Sequence, residues 1–235
     1  RKNLFYKTED DLQVAIAEAM RSEYKMIVDA GFNVQLDDAR AAVTFDRMVP
    51  PASFADYRNW LARQVELINH SLEGIPEDKV RYHVCWGSWP GPHTTDIPLR
   101  EIVHQILKIK AGAFVIEGAN PRHEHEWKVW GEKKPPNNRS LATGVISHAT
   151  NIVEHPELVA ERIRPRMPKN VQLGIELHYD AEVSDSTAQA VADALVGNKL
   201  ALAMITPGAH SHFAYGGICS MDRSERKAAE ELGAR

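Results

Sequence analysis

Cysteine is nearly absent from this sequence. Cys85 and Cys219 are the two in 235 residues. A disulfide framework is therefore not expected, and the thiols read as reduced, as in a cytoplasmic protein. Long apolar runs are also missing. None approaches the roughly 18 residues of a membrane span, so no membrane partner is expected. The opening RKNLFYKTEDD lacks the apolar core of a signal peptide. Charge of one sign is missing too: the net charge is −4, and the basic residues nearest to a cluster are the scattered Arg164, Arg166 and Lys169. That argues against a nucleic-acid surface. The first residue is not Met, and the final ELGAR reads as the middle of a helix-to-strand link, so a fragment or an engineered piece is expected.

What is present is ordinary globular composition, 43% hydrophobic and 26% charged, enough for one large domain or two small ones. The rhythm is helix, strand, helix, strand. Thr8 can cap a helix whose apolar stripe is Leu12, Ile16, Met20, Tyr24 and Ile27, ending at Gly31. FNVQLDD reads as a buried strand ending in two aspartates. Ser53 can cap a helix carrying Tyr57, Leu61, Val65, Ile68 and Leu72, closed by Gly74. VRYHVCWG is the second strand, and Asp96 and Pro98 begin a helix with Ile102, Val103, Ile106 and Leu107. AGAFVIEGA is the third strand. Pro121 to Ser140 reads as a polar surface loop with one helical turn around Glu124 to Trp130. LATGVISHAT, QLGIELHY and LALAMITPGA are three more strands, with helices from Pro156, from Thr187 to Val196, and after a Ser224 cap.

Six alternating strand-helix units predict an α/β fold with a parallel sheet covered by helices. A complete eight-unit (β/α) barrel takes about 250 residues. The expectation is therefore an incomplete barrel, an open doubly wound sheet, or a barrel closed by a partner chain. Self-association through open sheet edges, as a homo-oligomer, goes with that picture.

The polar residues cluster where strands stop: Asp37 and Asp38, His83 and Cys85, Glu117, Ser147 and His148, Glu176 and His178, His210 and His212. Sites of parallel α/β folds form at those ends. On a strand, residues two apart share a face, so His83 and Cys85 project together and Val84 does not. A nitrogen, a sulfur and the Glu117 carboxylate from the next strand suit Zn²⁺. The H-x-C spacing alone is a weak signal. The alternative is a buried His and a small apolar Cys in a core, with Glu117 paired to an Arg.

RYHVCWG, then AFVIEGANPR, then GVISHATNIVEHPELVAERI resemble the catalytic barrel of cobalamin-independent methionine synthases, and most closely the shorter relatives that include coenzyme M lyases. SEYKMIVDAGFNVQLDD is similar to the approach to that barrel's middle strand, and the likeness runs from about Leu4 to Ile163. The resemblance implies a (β/α) TIM-like barrel in which His83, Cys85 and Glu117 bind zinc. It implies a methyl- or alkyl-transferase in which a small-molecule thiol, activated as thiolate, attacks carbon. Asp37 would hold the substrate's ammonium, with Asp38 beside it. His148 would donate to a leaving group or an anionic tail, or stay a loop histidine. Trp86 and Trp89 would form an aromatic wall, or pack in the core.

The family's fourth ligand is a Cys on the strand that here reads QLGIELHY, which has none; Glu176, His178 and Cys219 are the remaining candidates. NVQLGIELHYDAEV and LALAMITPGAHSHFAYGGICSMDRSERKAAEELGAR instead resemble early strands of xylose-isomerase-like sugar isomerases, a Mg²⁺ or Mn²⁺ family in which His210, His212 and Tyr215 would line the sugar pocket. The expected organisation is a methionine synthase-like half barrel over 1–163, a linker over 164–170, and strand-helix units over 171–235 that complete or extend the domain. A non-catalytic hybrid scaffold is the competing reading.

Overall fold

Two reciprocal caps set the helices that cover the sheet. Thr8 accepts the Asp11 N–H at 3.0 Å while the Asp11 carboxylate accepts the Thr8 N–H at 3.1 Å. Ser53 and Asp56 repeat the arrangement at 3.1 and 2.8 Å. Each box satisfies backbone donors that a helix start leaves open. The resulting helices are α1 (Glu9–Asp29) and α3 (Phe54–Ser71). Both are followed by a glycine at positive φ, Gly31 at 92° and Gly74 at 80°, where a side chain would be strained.

This computed structural model describes residues 3–87, 92–136, 139–147, 149, 152–163, 173–178, 183–197, 200–206 and 222–233. The chain divides into two compact units, Arg1–Arg166 and Met167–Arg235. The first contains β1 (Val34–Asp37), α2 (Arg40–Met48), β2 (Val80–Val84), α4 (Leu99–Ile106), β3 (Ala113–Ile116), α5 (Val129–Glu132), β4 (Ser140–Thr143) and α6 (Pro156–Ile163) in addition to α1 and α3. Its four strands form one parallel sheet in the order β1-β2-β3-β4. Each new strand adds beside the last, so the reversal of strand order that marks a doubly wound sheet does not occur within these four.

The helix-facing side of the sheet is the core. Leu36, Tyr82, Val84, Phe114 and Ile116 are buried in one cluster with Tyr57, Leu61 and Val65 of α3 and Ile102, Val103 and Ile106 of α4. Helical stripes at spacings of three and four meet alternate strand residues there, as the periodicities require.

One element is new and two local expectations need correction. The stretch between β1 and Ser53 holds α2, and Asp38, just ahead of it, accepts the Ala41 N–H at 3.0 Å. The segment 121–140 is not all surface loop. His123, Glu126 and Val129 are buried, and the expected turn is a 3₁₀ segment, Glu124–Lys128, leading into α5. The last helix is capped by Asp222, which accepts the N–H of Ser224 at 2.7 Å, and not by Ser224 itself.

The second unit contains β5 (Leu173–His178), α7 (Ala188–Gly197), β6 (Leu200–Thr206) and α8 (Arg223–Gly233). β5 and β6 pair in parallel, with a register irregularity between Ile175 and Glu176. Among the described residues no helix is long and apolar enough to cross a membrane.

Candidate functional site

Strand register brings the first set of predicted residues side by side. Asp37 lies opposite His83, and His83 opposite Val115. The ladder continues one step beyond β2 and β3, because the Glu117 N–H donates to the Val84 carbonyl at 3.3 Å. Cys85 and Glu117 are thus the next row at the carboxyl end of the strands. This row and the Asp37–His83–Val115 row two residues earlier lie on the face turned away from the core. His83, Cys85 and Glu117 are half-buried there, and Asp37 is exposed.

Polar atoms on this face lack partners. His83 Nδ1 and Glu117 Oε1 are both buried without a hydrogen bond. The second Glu117 oxygen accepts the Trp86 N–H at 3.2 Å. Burial, chiefly, pushes the Cys85 thiol above its usual pKa; a hydrogen bond from the Gly87 backbone pulls the other way, and the Glu117, Asp37 and Asp38 carboxylates add to the rise. Gly87, at φ 84°, provides the turn that places that N–H. A thiol so placed stays protonated at neutral pH unless a cation arrives to take the proton's place.

The donor types fit zinc, and His83 Nδ1 and Glu117 Oε1 are two buried polar atoms with no competing hydrogen bond. The shell itself is not assembled: among the described residues, no three His, Cys, Asp or Glu side chains stand close enough to hold a metal ion.

The other predicted residues have varied surroundings. Asp37 Oδ1 accepts from Gln35 Nε2 at 2.9 Å, and Gln35 Oε1 in turn accepts from Arg81 Nε at 2.9 Å. Asp38 is committed to structure: one oxygen accepts the Ala41 N–H in the first turn of α2 and the other accepts the Tyr82 hydroxyl at 2.6 Å. Trp86 is 1% exposed and sits in the core, with its Nε1 donating to the Ile97 carbonyl at 2.7 Å, so it forms no open aromatic wall. Trp89, His148, His210, His212, Tyr215 and Cys219 lie outside the described residues. Ser147 is buried, its N–H donating to Glu154, which pairs with Arg162 of α6 at 2.6 Å.

Sequence reasoning missed a knot beside the site. His93 Nδ1 and His123 Nε2 both donate to Asp96, each at 2.9 Å, and His123 Nδ1 lies 3.5 Å from Glu126. The only sequence signal was the density of ionisable residues in PRHEHEW, within a stretch read as loop.

No family model matches the chain. It is 25% identical over 187 residues to a 2-hydroxypropyl-CoM lyase of Xanthobacter autotrophicus, covering 69% of this chain and 46% of that protein. It is 26% identical over 164 residues to a methionine synthase of Sulfurisphaera tokodaii, and 27% identical over 164 residues to one of Sulfolobus acidocaldarius, covering 69% of this chain and 40% of each. The chain therefore spans less than half the length of these relatives.

Proposed function

We propose that the first unit is part of a (β/α) barrel whose zinc site serves methyl or alkyl transfer to a small-molecule thiol, with His83, Cys85 and Glu117 as the protein's donors. The observation that carries this reading is the pair of buried, unpartnered atoms, His83 Nδ1 and Glu117 Oε1, on adjacent parallel strands beside Cys85. The distant relatives named for methionine synthesis and coenzyme M chemistry support it. The open shell does not oppose it. Resetting a side-chain rotamer costs about 1 kcal/mol, whereas structural zinc sites bind with about 10–16 kcal/mol.

Zinc bound there lowers the pKa of a substrate thiol and so supplies a nucleophile at neutral pH. The chain's own residues do the rest. His83 Nδ1 and Cys85 Sγ, the latter as thiolate, would hold the metal, and Glu117 would add a carboxylate already held in place by the Trp86 N–H. Asp37, exposed at the end of β1 and in register with His83, orients a cationic group of the substrate. In the transfer, a carbon–sulfur bond forms as the bond from carbon to its leaving group breaks. The leaving group keeps the electron pair, and the thiol's proton ends on it or on solvent.

The test is zinc content of the full chain after equilibration and gel filtration, together with alkylation of a small thiol. About one zinc per chain, lost in His83→Ala and in Cys85→Ser, is expected. Zinc binding that survives both substitutions, or none in the unsubstituted chain, would overturn the assignment.

A further inference from the structure

The knot beside the site ties three segments together. Asp96 Oδ1 accepts from His93, and its Oδ2 accepts from His123. Arg122 Nε lies 4.0 Å from Asp96. Across the ring, Glu126 faces His123 Nδ1 and also accepts the N–H of Leu99, the first residue of α4, at 2.9 Å. The His123 ring is 5% exposed and stacks on the Trp86 indole, with centroids 4.3 Å apart and planes 22° from parallel. The backbone N–H of Trp86 is the group that donates to Glu117. One chain of contacts therefore runs from Asp96 through His123 and Trp86 to the carboxylate at the end of β3.

We propose that His123 is a positioning residue: held between the Asp96 and Glu126 carboxylates, it seats the Trp86 indole and, through the Trp86 backbone N–H, fixes the Glu117 carboxylate. The role of Glu117 rests on the zinc reading; the chain of contacts does not. Burial works against charging this ring, but the nearby Glu126 carboxylate and the hydrogen-bonded Asp96 carboxylate outweigh it and hold the pKa of His123 above the ordinary value. Below that raised pKa the ring is a cation lying on an indole face, an arrangement stronger than neutral stacking. Deprotonation removes that attraction and frees one ring nitrogen from its carboxylate. The seat of Trp86 loosens, and with it the hydrogen bond to Glu117.

The experiment is NMR of the full chain, ¹⁵N-labelled, from about pH 5 to 9, following the His123 ring nitrogens and the Trp86 backbone amide. The Trp86 amide proton should move with the same midpoint as His123, above about 6.5, and should not move in His123→Phe, which keeps an aromatic ring on the indole. Asp96→Asn is the second variant and should lower the midpoint if His123→Phe fails to fold. A parallel titration with zinc alone should show affinity about 10–100-fold weaker in His123→Phe and unchanged in His104→Phe, an exposed histidine of α4. A Trp86 amide that stays fixed while His123 titrates overturns the positioning role, as does unchanged zinc affinity in His123→Phe. A chain that binds no zinc overturns the metal reading instead, and the Trp86 amide then decides the positioning role by itself.

Discussion

On one face of the four-stranded sheet Leu36, Tyr82, Val84, Phe114 and Ile116 are buried in the core; on the other, Asp37, His83, Cys85, Val115 and Glu117 are half-buried or exposed. The same three strands supply both sets, alternating residue by residue. The core face has almost every polar group matched. Where a hydroxyl is buried, as in Tyr82, it has a carboxylate to bond, and burial followed by the Asp38 charge drives its pKa well above the ordinary value. The opposite face leaves a ring nitrogen and a carboxylate oxygen without partners. Unmatched buried polar atoms cost stability, and this pair differs from those of Asn120, Arg122, His123, Arg139 and Ser147 in standing on adjacent strands beside Cys85.

Substitutions on neighbouring strands, one register step apart, should separate the two faces. Phe114→Ala empties a fully buried ring site and should cost about 3–5 kcal/mol in denaturant unfolding. His83→Ala, on the other face, should change stability by only about 0.5 kcal/mol or less while abolishing zinc binding. Comparable losses of stability from both would erase the distinction. Tyr82→Phe should cost about 1.5–3 kcal/mol, because it removes a hydrogen bond to a charged acceptor and leaves Asp38 one partner short. A neutral result there would mean that the core face does not depend on its polar match.

The smallest expected effect lies in pH. The folded-state pKa of His123 is raised above its unfolded value, so the stability it contributes is fully present below about pH 6.5. That contribution falls away as pH rises through the raised pKa. Unfolding followed across that window should show the decline in the unsubstituted chain, and His123→Phe should flatten it.

Much of the helical and strand layout was legible because its signals are local. Thr8 with Asp11 and Ser53 with Asp56 are three residues apart in sequence, and strand alternation has a period of two residues. The helix α2 gives little sequence signal because its N-cap, Ala39, offers no side-chain cap and Ala41, Ala42, Phe45 and Met48 make only a short stripe. That His83 and Cys85 share a face followed from spacing. That Cys85 and Glu117 occupy one row needed the β2–β3 register, which no local signal encodes. The Asp96–His123 pair is 27 residues apart and depends on two loops meeting over Trp86. Trp86 itself could be placed in the core or at a wall from sequence; the Ile97 carbonyl that takes its Nε1–H decides for the core.

The central claim, that the polar face gathers one imidazole, one sulfur and one carboxylate around a single zinc, is tested most directly by zinc-edge X-ray absorption on the Cys219→Ser chain loaded with one equivalent of metal. The account predicts one zinc–sulfur distance near about 2.3 Å with the remaining ligands nitrogen and oxygen at about 2.0–2.2 Å. A shell of nitrogen and oxygen alone, with no sulfur, would contradict it.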